Sequence, residues 1–101
     1  MSLQSLQIQQ EALLELRSHL ESFKDELNNQ MERYRNIVER LHESGLAEEV
    51  YRTYLGSYYE TDRNLVNQLI AHMDQADTPY VNNNLHANFE NQLAANTGWD
   101  Y

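Results

Sequence analysis

The chain contains no cysteine, one proline and three glycines, and beyond Arg63 it has neither lysine nor arginine. Without cysteine there can be no disulfide framework, thiolate metal site or thiol nucleophile. So little proline and glycine leaves room for long regular elements with few forced stops. The cation-free stretch carries Asp74, Asp77, Glu90 and Asp100. It therefore opposes nucleic acid and anionic lipid, whose binding depends on cations that neutralise phosphate. With 101 residues and a formal charge of -9, the chain points to neutral or basic partners. No run approaches the roughly 18 apolar residues that span a bilayer. The opening stretch, MSLQSLQIQQEALLEL, lacks both the basic n-region and the continuous apolar h-region of a cleavable signal peptide. The expectation is one domain at most, without membrane insertion. It would be cytoplasmic, or secreted by a route that needs no conventional signal.

What is present is periodicity. Leu6, Leu13, Leu20, Leu27, Tyr34 and Leu41 recur every seven residues. Leu16, Phe23 and Ile37 fall three further on, and Met31 and Val38 four further on. That spacing draws one stripe along a helix and excludes a strand, in which apolar and polar residues alternate. A strict seven favours nearly parallel or antiparallel packing with slight left-handed supercoiling. The run stops at ESG, where Ser44 and Gly45 form a hinge, since glycine readily takes the left-handed conformation just past a helix end. LAEE opens the next helix, with Glu48 and Glu49 at the positive end of its dipole. The chain reads as an αα-hairpin that reverses at residues 43–47.

The second arm repeats the step through Tyr59, Val66, Met73, Tyr80, Ala87 and Ala94. Leu65, Leu69, Ile70 and Ala76 widen its stripe, after an interruption at Asp62 and Arg63. Gly56 costs about 1 kcal/mol relative to alanine inside a helix and would permit close approach of a neighbour. In DTPY, either Thr78 caps a fresh helix that begins at Pro79 or the proline kinks the arm. Beyond it, Val81, Leu85, Phe89 and Leu93 keep a drifting four-residue step. NTGWDY has no periodicity, so the domain is expected over residues 1–95, with a frayed tail at 96–101. The fold class is therefore all-α: a hairpin of two long antiparallel helices, the second broken or kinked at Pro79. One facing helix is too narrow to cover Leu65, Val66, Leu69, Ile70 and Met73. These residues mark a partner-binding face, and pairing into a four-helix bundle, as a homodimer or a heterodimer with another helical protein, would close it.

Candidate chemistry is sparse. ERLH places Glu39 and His42 on one helix face, but a dimetal site in a bundle needs two such motifs and two more carboxylates. No metal or cofactor is expected, and the pair reads as solvated groups near a helix C-terminus. His19, His72 and His86 are isolated, and there is no glycine-rich phosphate loop. No catalytic residue is assigned. The tyrosines of VYRTYLGSYYE are more informative. Tyr51, Tyr54 and Tyr58 share a face, and tyrosine buries large area while keeping a polar tip. They join the partner-binding set, although an ordinary amphipathic surface would carry them as well.

In layout the chain resembles the small WXG-type proteins of bacterial type VII secretion and the helical partners encoded beside their LXG toxins. The shared features are about 100 residues, two long helices, one central turn ending in glycine, acidity, and the lack of cysteine and signal peptide. That resemblance implies hairpins that pair into four-helix bundles and leave the cell folded. Glu43-Ser44-Gly45 keeps the glycine of the family's Trp-x-Gly turn and lacks its tryptophan. Tyr58 and Asp62 match the Tyr-x-x-x-Asp/Glu export spacing in mid-arm, while Tyr80 and Asn84 stand nearer the expected place without the acid. The function expected is a non-enzymatic interaction protein: a type VII substrate, or a chaperone-like partner subunit that relies on another protein's signal. The alternative is an acidic inhibitor or immunity-type protein that neutralises a basic target, suggested by the stretch after Arg63.

Overall fold

The structure is a computed structural model that describes residues 2–97, with side chains from Ser2 to Ala95. Its α-helices are α1 (Leu3–Glu43), α2 (Glu48–Tyr54), α3 (Glu60–His72) and α4 (His86–Thr97). Three π-helical segments, Leu55–Tyr59, Met73–Asp77 and Tyr80–Leu85, interrupt the second arm. The reversal after α1 makes the chain an all-α helical hairpin. α4 runs on through Thr97, and the rest of the tail expected from residue 96 lies outside the described residues. No described helix is long and apolar enough to cross a membrane.

The hairpin divides into two compact units, each of which takes residues from both arms. The hinge unit is Phe23–Ala71, and the terminal unit joins the chain up to Ser22 with the chain from His72 onward.

In the hinge unit, α1 ends in a Schellman motif. The Leu46 N–H donates to the Leu41 carbonyl at 3.0 Å, and the Gly45 N–H donates to the His42 carbonyl at 3.1 Å. These bonds satisfy carbonyls that the helix end would otherwise orphan. Gly45 has φ 114°, the only positive φ among the described residues, as the hinge expectation requires. Ala47 then turns the chain into α2 without a side-chain cap, and Glu48 and Glu49 occupy the first turn. Met31, Val38 and Tyr59 form this unit's buried core. Gly56 has no close neighbour here: a Cβ built on it would meet nothing within 4 Å, so the expected close approach is absent.

One neighbouring arm covers one flank of the α1 stripe. Met31 and Val38, from the series four residues on, are buried, whereas Phe23 and Ile37, from the series three residues on, are 41% and 50% exposed. Leu16 in the terminal unit is likewise exposed.

In the terminal unit the buried apolar residues are Leu6, Met73, Val81 and Phe89. Up to Met73 the second arm keeps the seven-residue step. Beyond it Tyr80 is 57% exposed and Val81 takes the inward place, followed by Phe89 at a step of eight. The π segments account for this shift. The Thr78 N–H bonds the Met73 carbonyl and the His86 N–H the Val81 carbonyl, each a five-residue link that puts an extra residue into the turn. Tyr80, Ala87 and Ala94, expected on the stripe, are all exposed, and the drifting four-residue step describes the inner face as far as Phe89, with Leu93 exposed. Thr78 has helical φ and ψ, and its buried Oγ1 has no hydrogen-bond partner, so it caps no new helix. The arm passes through Pro79 as a bend at residues 78–79, between two π segments. Proline supplies no N–H and crowds the carbonyl four residues back, and widened turns relieve that conflict.

Candidate functional site

The side chains nearest the hinge form a clasp. Residues at equal distance on either side of Gly45 meet across the turn. His42 Nε2 donates to Glu48 at 2.5 Å, and the Tyr51 hydroxyl donates to Glu39 at 2.7 Å. The Tyr51 ring also stacks on His42, with centroids 4.0 Å apart and planes 9° from parallel. Arg52 donates to the other oxygen of Glu48 at 2.8 Å. Arg52 first, and His42 second, hold the Glu48 carboxyl below its ordinary value. Glu39 raises the Tyr51 phenol, because an ionised oxygen would face a carboxylate.

One turn deeper, Tyr34 gathers the second arm. Its hydroxyl lies 2.8 Å from that of Tyr54 and donates to Asp62 at 3.2 Å. A phenol has one proton, so the chain runs from Tyr54 to Tyr34 to Asp62. The Tyr34 ring meets Tyr59 edge-on at 5.2 Å, and Arg35 lies over the Tyr59 ring at 5.8 Å. The bond with Tyr54, then burial, then Asp62 push the Tyr34 pKa well above the ordinary phenol value. The heptad pattern read Tyr34 as core and Asp62 as an interruption. Their pairing was missed, although a hairpin centred on Gly45 brings these stretches together.

Beside this cluster lies an open apolar groove of about 660 Å³ in the hinge unit. Ile37, Val38, Leu41, Leu46 and Val50 line it together with the two tyrosines Tyr34 and Tyr54. Arg33 also reaches it. Ile37, Leu41 and Val50 are each half exposed or more. The Schellman turn itself creates this surface, because it sets Leu46 against the last apolar turn of α1. In the terminal unit a smaller hollow of about 400 Å³ is lined by Leu16, Leu20, Ala76, Tyr80 and Val81, with Asp77 beside them.

The expected partner-binding residues divide by exposure. Leu65 and Leu69 are exposed, at 59% and 42%, while Val66 and Ile70 are half-buried and Met73 is taken up by the terminal core. Tyr58 is 59% exposed and stacks on Tyr54 at 5.3 Å, whereas Tyr51 is half-buried in the clasp. Glu39 and His42, considered above for their metal-like spacing, are bridged by Tyr51. Among the described residues no three His, Asp or Glu side chains gather as metal ligands would. Two further histidines meet carboxylates locally: His72 meets Asp77 at 3.4 Å and His86 meets Glu90 at 2.7 Å.

The chain matches no family model, no curated protein and no solved structure.

Proposed function

We propose that this protein is a non-enzymatic interaction subunit, a helical hairpin completed by two further helices in a four-helix bundle. Those helices come from a second copy or from another helical protein. The observation that carries the reading is the balance of apolar surface. Among the described residues seven hydrophobic side chains are buried, and fourteen large ones are exposed. A small domain is short of core, and apolar surface on this scale marks an interface more often than a resting surface. The central glycine turn, the acidity and the arm lengths further support a type VII substrate or a chaperone-like partner subunit. Such a protein acts in the cytoplasm or leaves the cell without a conventional signal.

The test is mass in solution at about 100 µM, near the weak end of useful affinities, for the chain alone and with the proteins encoded beside it. The expected result is a complex that persists at about 1 M salt, where exposed charges are screened within about 3 Å. Leu65→Glu with Leu69→Glu is expected to abolish it. A complex that instead dissolves steeply with salt would mark an acidic inhibitor of a basic target. A fully helical monomer under every condition would sink the bundle reading.

A further inference from the structure

The groove beside the hinge has a charged edge. Asn29, Arg33, Asn36 and Arg40 follow one another along α1 at three- and four-residue steps, and all are exposed. They therefore form one strip of the helix surface, next to the line that carries Ile37 and Leu41. Arg33 lines the groove, and Arg40 lines the adjoining hollow with Ile37 and Leu41. Among the described residues neither guanidinium is ion-paired, whereas Arg35 pairs with Glu39 and Arg52 with Glu48. In a chain with sixteen acidic side chains and seven basic ones, two cations stand without a carboxylate beside an apolar groove.

We propose that this groove docks an acidic amphipathic helix of another protein. Its apolar stripe lies against Ile37, Leu41 and Val50, and two carboxylates seven residues apart meet Arg33 and Arg40. The proposal rests on the helix-docking function above and adds the partner's chemistry. Arg33 and Arg40 are themselves seven residues apart, about 10 Å along the helix axis, the same step that such carboxylates make. An amphipathic helix in an apolar groove is a recurrent mode of recognition, and arginine forks grip carboxylates in paired hydrogen bonds. The overall charge of -9 points instead to neutral or basic partners, but that field is screened beyond about 8 Å at physiological salt. Selectivity here arises at contact.

A second copy fits less well. Beyond Arg63 no two acidic residues stand seven apart. Asp25, Glu32 and Glu39 do, but each falls two residues after Phe23, Gln30 or Ile37, on the opposite side of α1 from the exposed apolar line.

The full chain is titrated against two labelled helical peptides with one leucine stripe, flanked by glutamates seven residues apart or by glutamines in their place. Fluorescence anisotropy at about 0.15 M salt, near the physiological screening length, is the readout. The glutamate peptide is expected to bind about tenfold more tightly, the size of two moderate surface ion pairs. The Arg33→Glu, Arg40→Glu double variant should keep its helicity, because both side chains are exposed, and should lose that preference. Arg33→Lys with Arg40→Lys should keep part of it. Equal binding of the two peptides, or a preference untouched by the double variant, overturns the acidic partner while leaving helix docking in place. A self-dimer dissolved by Ile37→Glu puts a second copy in the groove and also overturns the proposal. Binding of neither peptide overturns docking at this groove, whereas the function proposed above stands or falls by the mass measurement.

Discussion

The hinge unit and the terminal unit are built from the same two arms, yet the described contacts that stand out in each differ in kind. In the hinge unit hydroxyls, carboxylates and rings cross from arm to arm: Tyr51 to Glu39, His42 to Glu48, and Tyr54 through Tyr34 to Asp62. In the terminal unit the described buried side chains are aliphatic, thioether or aromatic, and two π segments carry the inner face past a proline. The described buried polar atoms without a hydrogen-bond partner, on Arg17, Thr78 and Gln92, all lie in the terminal unit. Directional contacts near the turn specify which residues face one another. Both units accommodate widened turns, at Leu55–Tyr59 beside the directional contacts and at Met73–Asp77 and Tyr80–Leu85 against the apolar ones.

The largest expected effect should break the terminal unit alone. Phe89 is 7% exposed, and Phe89→Ala should cost about 3 kcal/mol through lost burial and a cavity. Amide exchange should then rise around Met73–Phe89 while the Glu39–Tyr51 stretch stays protected. Loss of protection throughout the chain would show one cooperative body and erase the distinction. A smaller loss belongs to the hinge unit. Gly45 holds φ 114° in open space, so Gly45→Val should cost on the order of 1–2 kcal/mol through backbone strain. A urea midpoint unchanged from the parent chain would show that the left-handed turn is not used in solution.

The smallest effect sharpens the comparison through pH. Tyr34 and Tyr51 have folded pKa values above the ordinary 10.0. A fold that favours neutral phenol keeps that stabilisation in full below the ordinary value and loses it as pH rises through the folded values. Glu48 has the opposite sign: its folded pKa lies below the ordinary 4.5. Its contribution is present above 4.5 and disappears as pH falls through the lowered value. The hinge unit should therefore loosen at both extremes. Tyrosinate absorbance should show a late-titrating fraction that Tyr34→Phe with Tyr51→Phe removes. A curve of unchanged shape in that variant, lowered only by the amplitude of two phenols, would mean the clasp does not persist in water.

Much of the fold was legible in the sequence, because helix periodicity and a lone glycine between two periodic runs are local signals. The reversal at Gly45 needed only the knowledge that a left-handed residue ends a helix. The inner face beyond Met73 was half legible: the four-residue step through Val81, Leu85 and Phe89 was visible, but it competed with a heptad through Tyr80 and Ala87. The clasp was not read at all. Glu39 and His42 drew notice for a metal-like spacing within one helix, while their companions Tyr51 and Glu48 come from across the turn.

By itself, then, the sequence determined the helical class, the place of the hinge and the acidity of the chain. Each of these depends on residue type and neighbours along the chain. Only the tertiary structure decided which flank of the α1 stripe is covered, where the π segments move the register, and which arginines are left unpaired beside the groove. Those outcomes depend on packing one arm against the other, where a shift of a single residue turns a side chain through about 100° and exchanges core for surface.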